Sequence, residues 1–535
     1  MPILLALLPI LLALILMIGF RTAPGKAMIA AWALTGVAAL IRWKLSLAAV
    51  AAASLQGIGK ALDIILIIFG AILLLNVLKK SGALRRINHS LAFVSSDRRI
   101  QVLVIAWMLG GFVEGAAGFG AAPALAAPLL AGMGFPAAAA VMTALICNTT
   151  PVPFGAVGIP AMTSVATLES RIAETGQTAE SFSGAMLDKL TAISGCSGVF
   201  IPLLAVTAMI LFSSRGRKLR SIAEIAPLAL FSGAAYIIPW RLTALRLGPE
   251  LPSMMGAIFG LPLLLLCLKT RFLVPKYVWD FPESERPAPP PPDAAPMMPL
   301  LPAWAPYLTL AAGLLLLRLP QLPFKRVLDA ATIRIPDFFG VAGTGLNWKI
   351  LNNPGLIPLC LIAAISMAAW RFPLRNQLTL WRDTGRQILS AATAIAASVA
   401  AVQIMIQTSA NPAAIPGMLE CVAQGMARLL GKAYLFGAPF IGIFGTFFAG
   451  SCTVSNILFG PLQFDTAQML DLDAALVIAL QNAGGGIGSM IRVSGVIAAC
   501  ATVKLSGREG KIILNNCLPA LIAALLTLAA ALIVG

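Results

Sequence analysis

The sequence has few charged residues and almost no histidine. Asp, Glu, Lys and Arg make up 11% of its 535 residues, whereas 59% are apolar. A soluble domain carries roughly 25% charged residues, so the composition excludes an ordinary soluble protein. The single histidine, His89, lies in a basic segment, which argues against a metal site or an acid–base centre built on histidine.

Motifs of catalysis and of cofactor binding are also missing. The sequence contains no HExxH motif, no serine–base constellation and no nucleotide fingerprint. The eight cysteines are scattered, almost all in apolar runs and without CxxC spacing, as expected for small core residues rather than metal ligands or disulfides. We therefore expect no enzyme activity, no catalytic residue, no cofactor and no bound metal.

Long apolar runs dominate the sequence. Their lengths approach the roughly 20 residues that cross a bilayer as a helix, and they lack the alternating polarity of barrel strands. We predict an all-α polytopic membrane protein with about 12–14 transmembrane helices. The first run has no basic stretch before it and no small-residue cleavage site after it, so we interpret it as a span rather than a signal peptide. The clearest runs are residues 2–20, 61–78, 190–212, 253–272 and 515–534.

The formal charge of +17 does not indicate a nucleic-acid partner. The basic residues collect in short segments, such as 79–99 and 213–221, as the positive-inside bias of membrane proteins requires. If both segments are cytoplasmic, an even number of crossings must separate them. The apolar runs suggest an odd number, so either one intervening segment re-enters the membrane without crossing it or one segment is miscounted.

A proline-rich segment, residues 276–303 with the run "PAPPPP", divides the chain. Such a run behaves as a stiff, extended spacer. We predict a first membrane half over residues 1–275 and a second over residues 304–535. Two further polar insertions, 160–189 and 320–353, interrupt these halves.

The two halves contain matching glycine-rich polar elements. "GFVEGAAGFG" (111–120) and "GTFFAGSCTVSN" (445–456) each precede an apolar helix that we predict to break at an asparagine, Asn148 or Asn482. Repeated halves with helices interrupted at membrane depth are typical of secondary transporters; the alternative is that the glycines only permit close helix packing. The predicted hairpins cover residues 112–130 and 447–465, and the predicted broken helices cover residues 137–160 and 474–491.

Glu114 is a carboxylate inside the first apolar hairpin. A charged, unpaired carboxylate at membrane depth is costly, so such a group either pairs or takes up a proton. We predict that Glu114 carries a coupling proton and that its charge state sets the affinity for an anion. The alternative is a structural glutamate that caps backbone amides of the hairpin.

Polar residues at the breaks and at the second hairpin are candidate ligands for a small anion. Proline frees backbone carbonyls at the first break, and we expect the glycines after Asn482 to offer bare amides to a carboxylate. The predicted substrate-binding residues are Asn148, Thr149, Thr150, Ser451, Thr453, Ser455, Asn456, Asn482, Gly484, Gly485, Gly486 and Arg492.

Arg492 is the predicted fixed positive charge, because a guanidinium group holds a carboxylate in bidentate fashion. The alternative is an arginine that snorkels from a helix end. Asp63 is interpreted as the interfacial partner of Lys60. Two other sets are assigned to the membrane edges: Asp465, Asp471 and Asp473 to an aqueous edge, and Arg371, Arg375, Arg382 and Arg386 to a cytoplasmic loop.

At these residues the sequence resembles the bacterial lactate permease family, and hydropathy and the central linker agree along nearly the whole chain. The resemblance implies two inverted repeats, each with a re-entrant hairpin and a broken helix. It also implies transport of lactate, glycolate or related 2-hydroxy monocarboxylates with protons across the bacterial inner (plasma) membrane. It rests on "FVEGAAGFGAAPALAAPLL" (112–130), "GFPAAAAVMTALICNTTPVPFGAVGIP" (134–160), "GPELPSMMG" (248–256), "GSCTVSNILFGPLQ" (450–463) and "GGGIGSMI" (484–491).

Two positions depart from the family pattern. The family commonly has Asn or Asp where this chain has Cys452, and Lys or Asn where it has Ser489. Arg492 follows Ser489 at a spacing that shares a helix face, which suggests that a cation is displaced by one turn.

The expected partners are a small-molecule substrate, protons and membrane lipid, without nucleic acid; the oligomeric state stays open. An alternative is a Na⁺-coupled transporter, or one specific for another small organic anion. A membrane enzyme or an ion channel is less favoured, because a channel would need a repeated filter loop and the two breaks are unlike each other.

Overall fold

The computed structural model describes residues 2–18, 20, 22–92, 94–118, 120–212, 218–285, 298–318, 328, 332–348, 350–353, 355–505 and 508–534. Within these ranges the protein is a bundle of helices with one two-stranded sheet. Most of the proline-rich linker (286–297), part of the second basic segment (213–217) and residues 319–327 of the third insertion lie outside the described residues.

The first half contains long helices and several short helical segments. In lipid, backbone polar groups must be satisfied within the segment, so the apolar runs form helices. A π-helical stretch, Val102–Leu109, lies within the continuous helix Arg98–Ala117. The α-helices are Pro2–Ile18, Pro24–Ile41, Leu47–Ser81, Ala83–Ala92, Arg98–Gln101, Gly110–Ala117, Ala121–Gly132, Ala137–Cys147, Gly155–Ala166, Glu169–Glu174, Ala179–Gly198, Ile201–Phe212, Lys218–Leu247 and Pro252–Thr270.

The second half adds the small sheet. Strands Ile333–Ile335 and Leu346–Trp348 pair antiparallel, with Ile333 opposite Trp348. A π-helical stretch, Gly355–Cys360, precedes the next helix. The α-helices are Leu300–Arg318, Leu361–Ala369, Leu374–Gln407, Met418–Leu430, Tyr434–Ala449, Cys452–Met469, Ala474–Gly488, Val493–Thr502 and Glu509–Val534.

The described residues contain nine helices long and apolar enough to cross a membrane. A bent pair, Ala137–Cys147 and Val152–Ala166, forms a tenth candidate. Shorter apolar helices, such as Gly25–Ile41 and Leu300–Leu314, add to this number. The predicted all-α polytopic membrane protein is confirmed.

The first hairpin consists of the arms Arg98–Ala117 and Ala121–Gly132. Its tip contains Gly118 and Gly120, whose φ angles are 60° and 84°. Residues that carry a side chain rarely adopt this left-handed backbone conformation, so the turn favours glycine.

The two ends of the first hairpin meet, because the Arg98 guanidinium donates a hydrogen bond to the carbonyl of Met133. The chain therefore returns to the side on which the hairpin began, and the hairpin is re-entrant. Among the described residues between the two basic segments, the bent pair and the helical stretch Ala179–Phe212 then remain as the two crossings. This even number resolves the mismatch between the apolar runs and the positive-inside bias.

The second hairpin consists of the arms Tyr434–Ala449 and Cys452–Met469. Its base lies at the opposite side of the bundle. Asp465, near the end of its second arm, forms an ion pair with Arg171, which follows the bent pair. Because the bent pair starts at the base of the first hairpin and ends near Arg171, the two hairpins enter from opposite sides.

The first broken helix, Ala137–Cys147 and Gly155–Ala166, bends by 67°. The helix stops at Asn148, and the chain continues through a turn and the 3-10 segment Val152–Phe154. Ala156, Val157 and Gly158 then have φ angles of 45°, 59° and 80°. The predicted interruption at Asn148 is therefore present, and it extends further than the asparagine.

The second broken helix, Ala474–Gly488 and Val493–Thr502, breaks only at residues 489–492. The predicted break at Asn482 is wrong, because Asn482 lies within a continuous helix. The glycines that follow it stay helical and pack tightly: a Cβ on Gly484 would lie 2.9 Å from Cα of Pro439 in the second hairpin. Close packing of small residues between helices explains this run.

The longest helices of the two halves, Leu47–Ser81 and Leu374–Gln407, pack against each other. Gly57 permits the contact, since a Cβ there would lie 2.6 Å from the backbone nitrogen of Ala400. The predicted cytoplasmic arginine loop is wrong for three of its four members. Arg375, Arg382 and Arg386 belong to the helix that begins at Leu374, and Arg371 lies in the preceding turn.

Candidate functional site

A small cavity, here called the central cavity, lies where the hairpin tips and the helix breaks meet. Its volume is about 20 Å³, which by the usual measure admits about one water molecule. A larger molecule would require the surrounding elements to separate. Four predicted site residues line it, Glu114, Ser451, Thr453 and Arg492, together with Val152, Gly155, Ala156, Pro160 and Cys452.

Helix N-termini converge on the central cavity. The second arm of the second hairpin begins at Cys452, and the second segment of the second broken helix begins at Val493. The second segment of the first broken helix becomes regular only after the left-handed residues 156–158, and its Pro160 lines the cavity. The N-terminus of a helix carries a partial positive charge and unpaired amides. Such ends favour an anion over a cation.

Arg492 adds a full positive charge to this region. It is the residue directly before the helix Val493–Thr502 and is only 6% exposed, so it does not snorkel to an aqueous surface. Its Nε atom has no hydrogen-bond partner among the described residues. The predicted helix face shared with Ser489 is wrong, because the preceding helix ends at Gly488.

Glu114 lies opposite this charge and is 3% exposed. Its carboxyl group faces the side chain of Asn148 and the backbone amides of Gly120 and Ala122. Its Oε2 atom has no hydrogen-bond partner within the described part of the chain. The carboxyl therefore lies against the amides of the first hairpin tip and keeps one oxygen unengaged, and both interpretations made from the sequence stay predictions.

The second hairpin tip has a different arrangement. Ser451 precedes its helix but makes no capping hydrogen bond through its side chain. Thr453, 1% exposed, lines the cavity with it. The Cys452 thiol, at the position that departs from the family pattern, lies 3.9 Å from the carbonyl oxygen of Asn482. The first residues of this arm, Ser451, Cys452 and Thr453, thus line the cavity.

Three of the predicted ligands belong instead to a hydrogen-bond network behind the second tip: Ser455, Asn456 and Asn482. The Asn456 side chain donates to Asn482 Oδ1 at 2.7 Å and to the carbonyl of Pro160 at 3.1 Å. Asn482 in turn donates to Ser164 Oγ at 3.1 Å. These bonds join the second hairpin to both broken helices.

The network continues through two glutamines, Gln463 and Gln481, which are not among the predicted ligands. Gln481 donates to Ser455 Oγ at 3.0 Å and accepts from Gln463 at 2.8 Å. Tyr434 closes it by donating to Gln463 Oε1 at 2.8 Å. The sequence does contain a signal for this network: uncharged amide side chains within apolar helices, which require hydrogen-bond partners when they are buried.

Two further predicted ligands, Thr149 and Thr150, form a hydrogen bond to the backbone or pack against it. The Thr149 hydroxyl donates to the carbonyl of Ile146 at 2.8 Å, and Thr150 packs against Gly198. The prediction that Gly484, Gly485 and Gly486 offer bare amides is wrong, because all three lie within a continuous helix.

A second, larger cavity, here called the vestibule, has a volume of about 960 Å³. It lies between the long helix Leu47–Ser81, the second segment of the first broken helix and the small sheet. The predicted pairing of Asp63 with Lys60 is wrong: Asp63 Oδ1 accepts hydrogen bonds from Trp348 at 2.7 Å and Asn353 at 3.1 Å. The sheet region thus covers the part of the helix where that pair was expected.

A family model described as L-lactate permease matches residues 2–535, nearly the entire chain. The chain belongs to the L-lactate permease family. Family members are permeases, so this protein is a multi-pass membrane transporter and not an enzyme.

Individual relatives of the permease agree with this assignment. The L-lactate permease of Bacillus subtilis is 31% identical over 486 residues, which are 83% of this chain and 79% of the relative. The putative L-lactate permease of Haemophilus influenzae is 28% identical over 86% and 84% of the two chains. The glycolate permease GlcA of Escherichia coli is 26% identical over 83% and 80%.

A search of solved structures matches the permease to the YdaH transporter of Alcanivorax borkumensis. The TM-score is 0.43 and the identity 16%, over 88% of this chain and 85% of that one.

Proposed function

We propose that this permease carries lactate and related 2-hydroxy monocarboxylates, such as glycolate, across the bacterial plasma membrane together with protons. Its relatives include an L-lactate permease and a glycolate permease, which supports this substrate class. The observation that carries the proposal is the buried Arg492 among converging helix N-termini. A small carboxylate satisfies both at once.

The carboxylate of the substrate is held by Arg492 and by the first amides of the helix that begins at Cys452. Ser451 and Thr453 line the same cavity. Their hydroxyls accept a hydrogen bond from the 2-hydroxyl group of the substrate or donate one to it. Asn148 supports the site indirectly, through its contact with the Glu114 carboxyl.

Glu114 carries the proton. Its buried carboxyl and Arg492 are close enough for their charges to interact, yet no ion pair within 4 Å joins them in the described residues. If Glu114 is charged, it competes with an anionic substrate for Arg492. Protonation removes that competition, so binding of the proton and the anion are coupled.

The test uses purified protein in proteoliposomes and labelled L-lactate. The wild-type protein should accumulate lactate under an imposed pH gradient, with the acidic side outside, and glycolate should compete. Glu114→Gln should retain exchange of internal for external lactate but lose accumulation, because the amide cannot release a proton. Glu174→Gln, an exposed acid on an outer connection, is the matched control and should behave as wild type.

Full gradient-driven accumulation by the Glu114→Gln variant would contradict the role of Glu114. Uptake that follows a sodium gradient and ignores the pH gradient would contradict proton coupling. Uptake of neither lactate nor glycolate by the wild-type protein would refute the substrate class.

A further inference from the structure

The vestibule contains a cation that has no ion pair within the described residues. Lys60 lies on the helix Leu47–Ser81 and lines the vestibule. No acidic side chain of the described chain approaches its nitrogen within 4 Å. Glu169, on another wall of the vestibule, is close enough for its charge to act on Lys60.

The long helix contributes two other polar side chains to the vestibule wall, and both are engaged in hydrogen bonds. Gln56 donates hydrogen bonds to the carbonyls of Gly343 and Gly345 at 2.9 and 3.3 Å. Asp63 accepts from Trp348 and Asn353. These bonds fix the sheet region against the helix and leave the Lys60 ammonium as the group of this wall that is available to a ligand.

The vestibule lies on the side of the membrane opposite the first basic segment. Lys60 and Lys79 belong to the same helix, and their spacing corresponds to about 28 Å of α-helix. This is close to the thickness of the hydrocarbon core. Lys79 begins the basic segment that the positive-inside bias assigns to the cytoplasm, so the vestibule is on the outer side.

One segment, the second part of the first broken helix, lines both the vestibule and the central cavity. In the second segment of the first broken helix, Met162 and Thr163 line the vestibule, whereas Ala156 and Pro160 line the central cavity. This segment contains the left-handed turn at Ala156–Gly158. A movement of this single segment would connect the two spaces.

We propose that Lys60 forms a capture site for monocarboxylate anions in the outer vestibule, from which they pass to the central cavity. This inference rests on the proposed function and adds a second binding site to it. A lone cation in a cleft with low-dielectric walls concentrates anions. A single partly hydrated ion pair is weak, so the anion is released readily, and the nearby Glu169 lowers the affinity further.

The test measures initial rates of labelled lactate uptake in right-side-out vesicles, over a range of lactate and salt concentrations. Lys60→Ala should raise KM about fivefold without changing the maximal rate, since one screened charge contributes about this much. Lys60→Arg should keep KM near wild type, and Glu169→Gln should lower it. Lys79→Ala, on the same helix at the other side, is the matched control and should leave KM unchanged.

Salt separates an electrostatic role from a structural one. Added salt should raise the KM of the wild-type protein and have much less effect on Lys60→Ala. Should the alanine variant not fold, Lys60→Gln keeps most of the side chain and a polar end without the charge and should give the same rise in KM.

A wild-type KM and salt dependence in the uncharged variants would overturn the capture site while leaving the proposed function intact. A lower maximal rate at constant KM would also overturn it, because it would assign Lys60 to the conformational change. Absence of lactate and glycolate uptake by the wild-type protein is a separate result, which would refute the proposed function as well.

Discussion

The two hairpin tips share a backbone plan but differ in electrostatics. At the first tip, the Glu114 carboxyl faces the amides of Gly120 and Ala122. At the second, Ser451 provides no side-chain cap, and Arg492 lines the same cavity. The first tip supplies its own anion, whereas the second offers amides and a nearby cation to one from outside. Under the proposed function, the first tip binds the proton and the second binds the anion.

The breaks differ as well. The first extends over a turn, a 3-10 segment and a left-handed stretch, and it contains Pro151 and Pro153. The second occupies only residues 489–492, after a glycine run that remains helical. Proline removes a backbone donor and cannot continue the hydrogen-bond pattern. Glycine only weakens a helix, and close packing can hold it in place.

The largest effect is expected for Arg492. Arg492→Gln should reduce both net uptake and exchange of lactate about 100-fold, because the charged partner of a buried carboxylate is removed. This differs from Glu114→Gln, which should retain exchange. The control is Arg508→Gln, at an exposed position after the second broken helix. If Arg492→Gln exchanged lactate at the wild-type rate, the assignment of the anion to the second tip would be wrong.

The glycine run should respond as a packing surface. Gly486→Ala should destabilise the protein by about 1–3 kcal/mol, since its Cβ would lie 2.8 Å from the Thr149 carbonyl oxygen and 3.2 Å from Pro153 Cδ. The matched control is Gly460→Ala in the second hairpin, where a Cβ would meet no atom within 4 Å. Unfolding temperatures in detergent would measure both variants, and equal values would argue against tight packing at Gly486.

The difference in capping predicts opposite outcomes at the two tips. Glu114→Ala should cost about 1 kcal/mol of stability, as loss of a helix cap does. Ser451→Ala should leave stability unchanged and raise KM for lactate, because its side chain makes no capping bond. Thermal unfolding and uptake kinetics on the same preparations test the pair. A clear loss of stability in Ser451→Ala would remove the contrast.

The smallest effect is expected for recognition of the 2-hydroxyl group. Thr453→Val preserves shape and removes one hydroxyl, so lactate should lose affinity by a few-fold. Competition by propionate, which lacks the hydroxyl, should change little. An equal loss for both acids would mean that Thr453 does not contact the hydroxyl group.

Much of the fold and part of the site followed from local sequence. Apolar runs, matched polar elements and Pro151 predicted helices, hairpins and the first break. Glu114 and Arg492 were identified because charge is rare and costly in such surroundings. Three features could not be predicted from local sequence: the position of Ala156 and Pro160 at the cavity, the glutamine network, and the place of Lys60 in the vestibule. Each depends on which helices lie side by side.

The sequence by itself determined the class of the protein, because hydrophobicity and proline chemistry act within a single segment and need no partner. Tertiary structure alone decided where the second of the broken helices breaks. Asn482 and the glycines after it look like a break in isolation, yet they stay helical where Pro439, Thr149 and Asn456 pack or bond against them. Whether a polar residue binds substrate or another residue depends on its neighbours, and distant parts of the chain supply those neighbours.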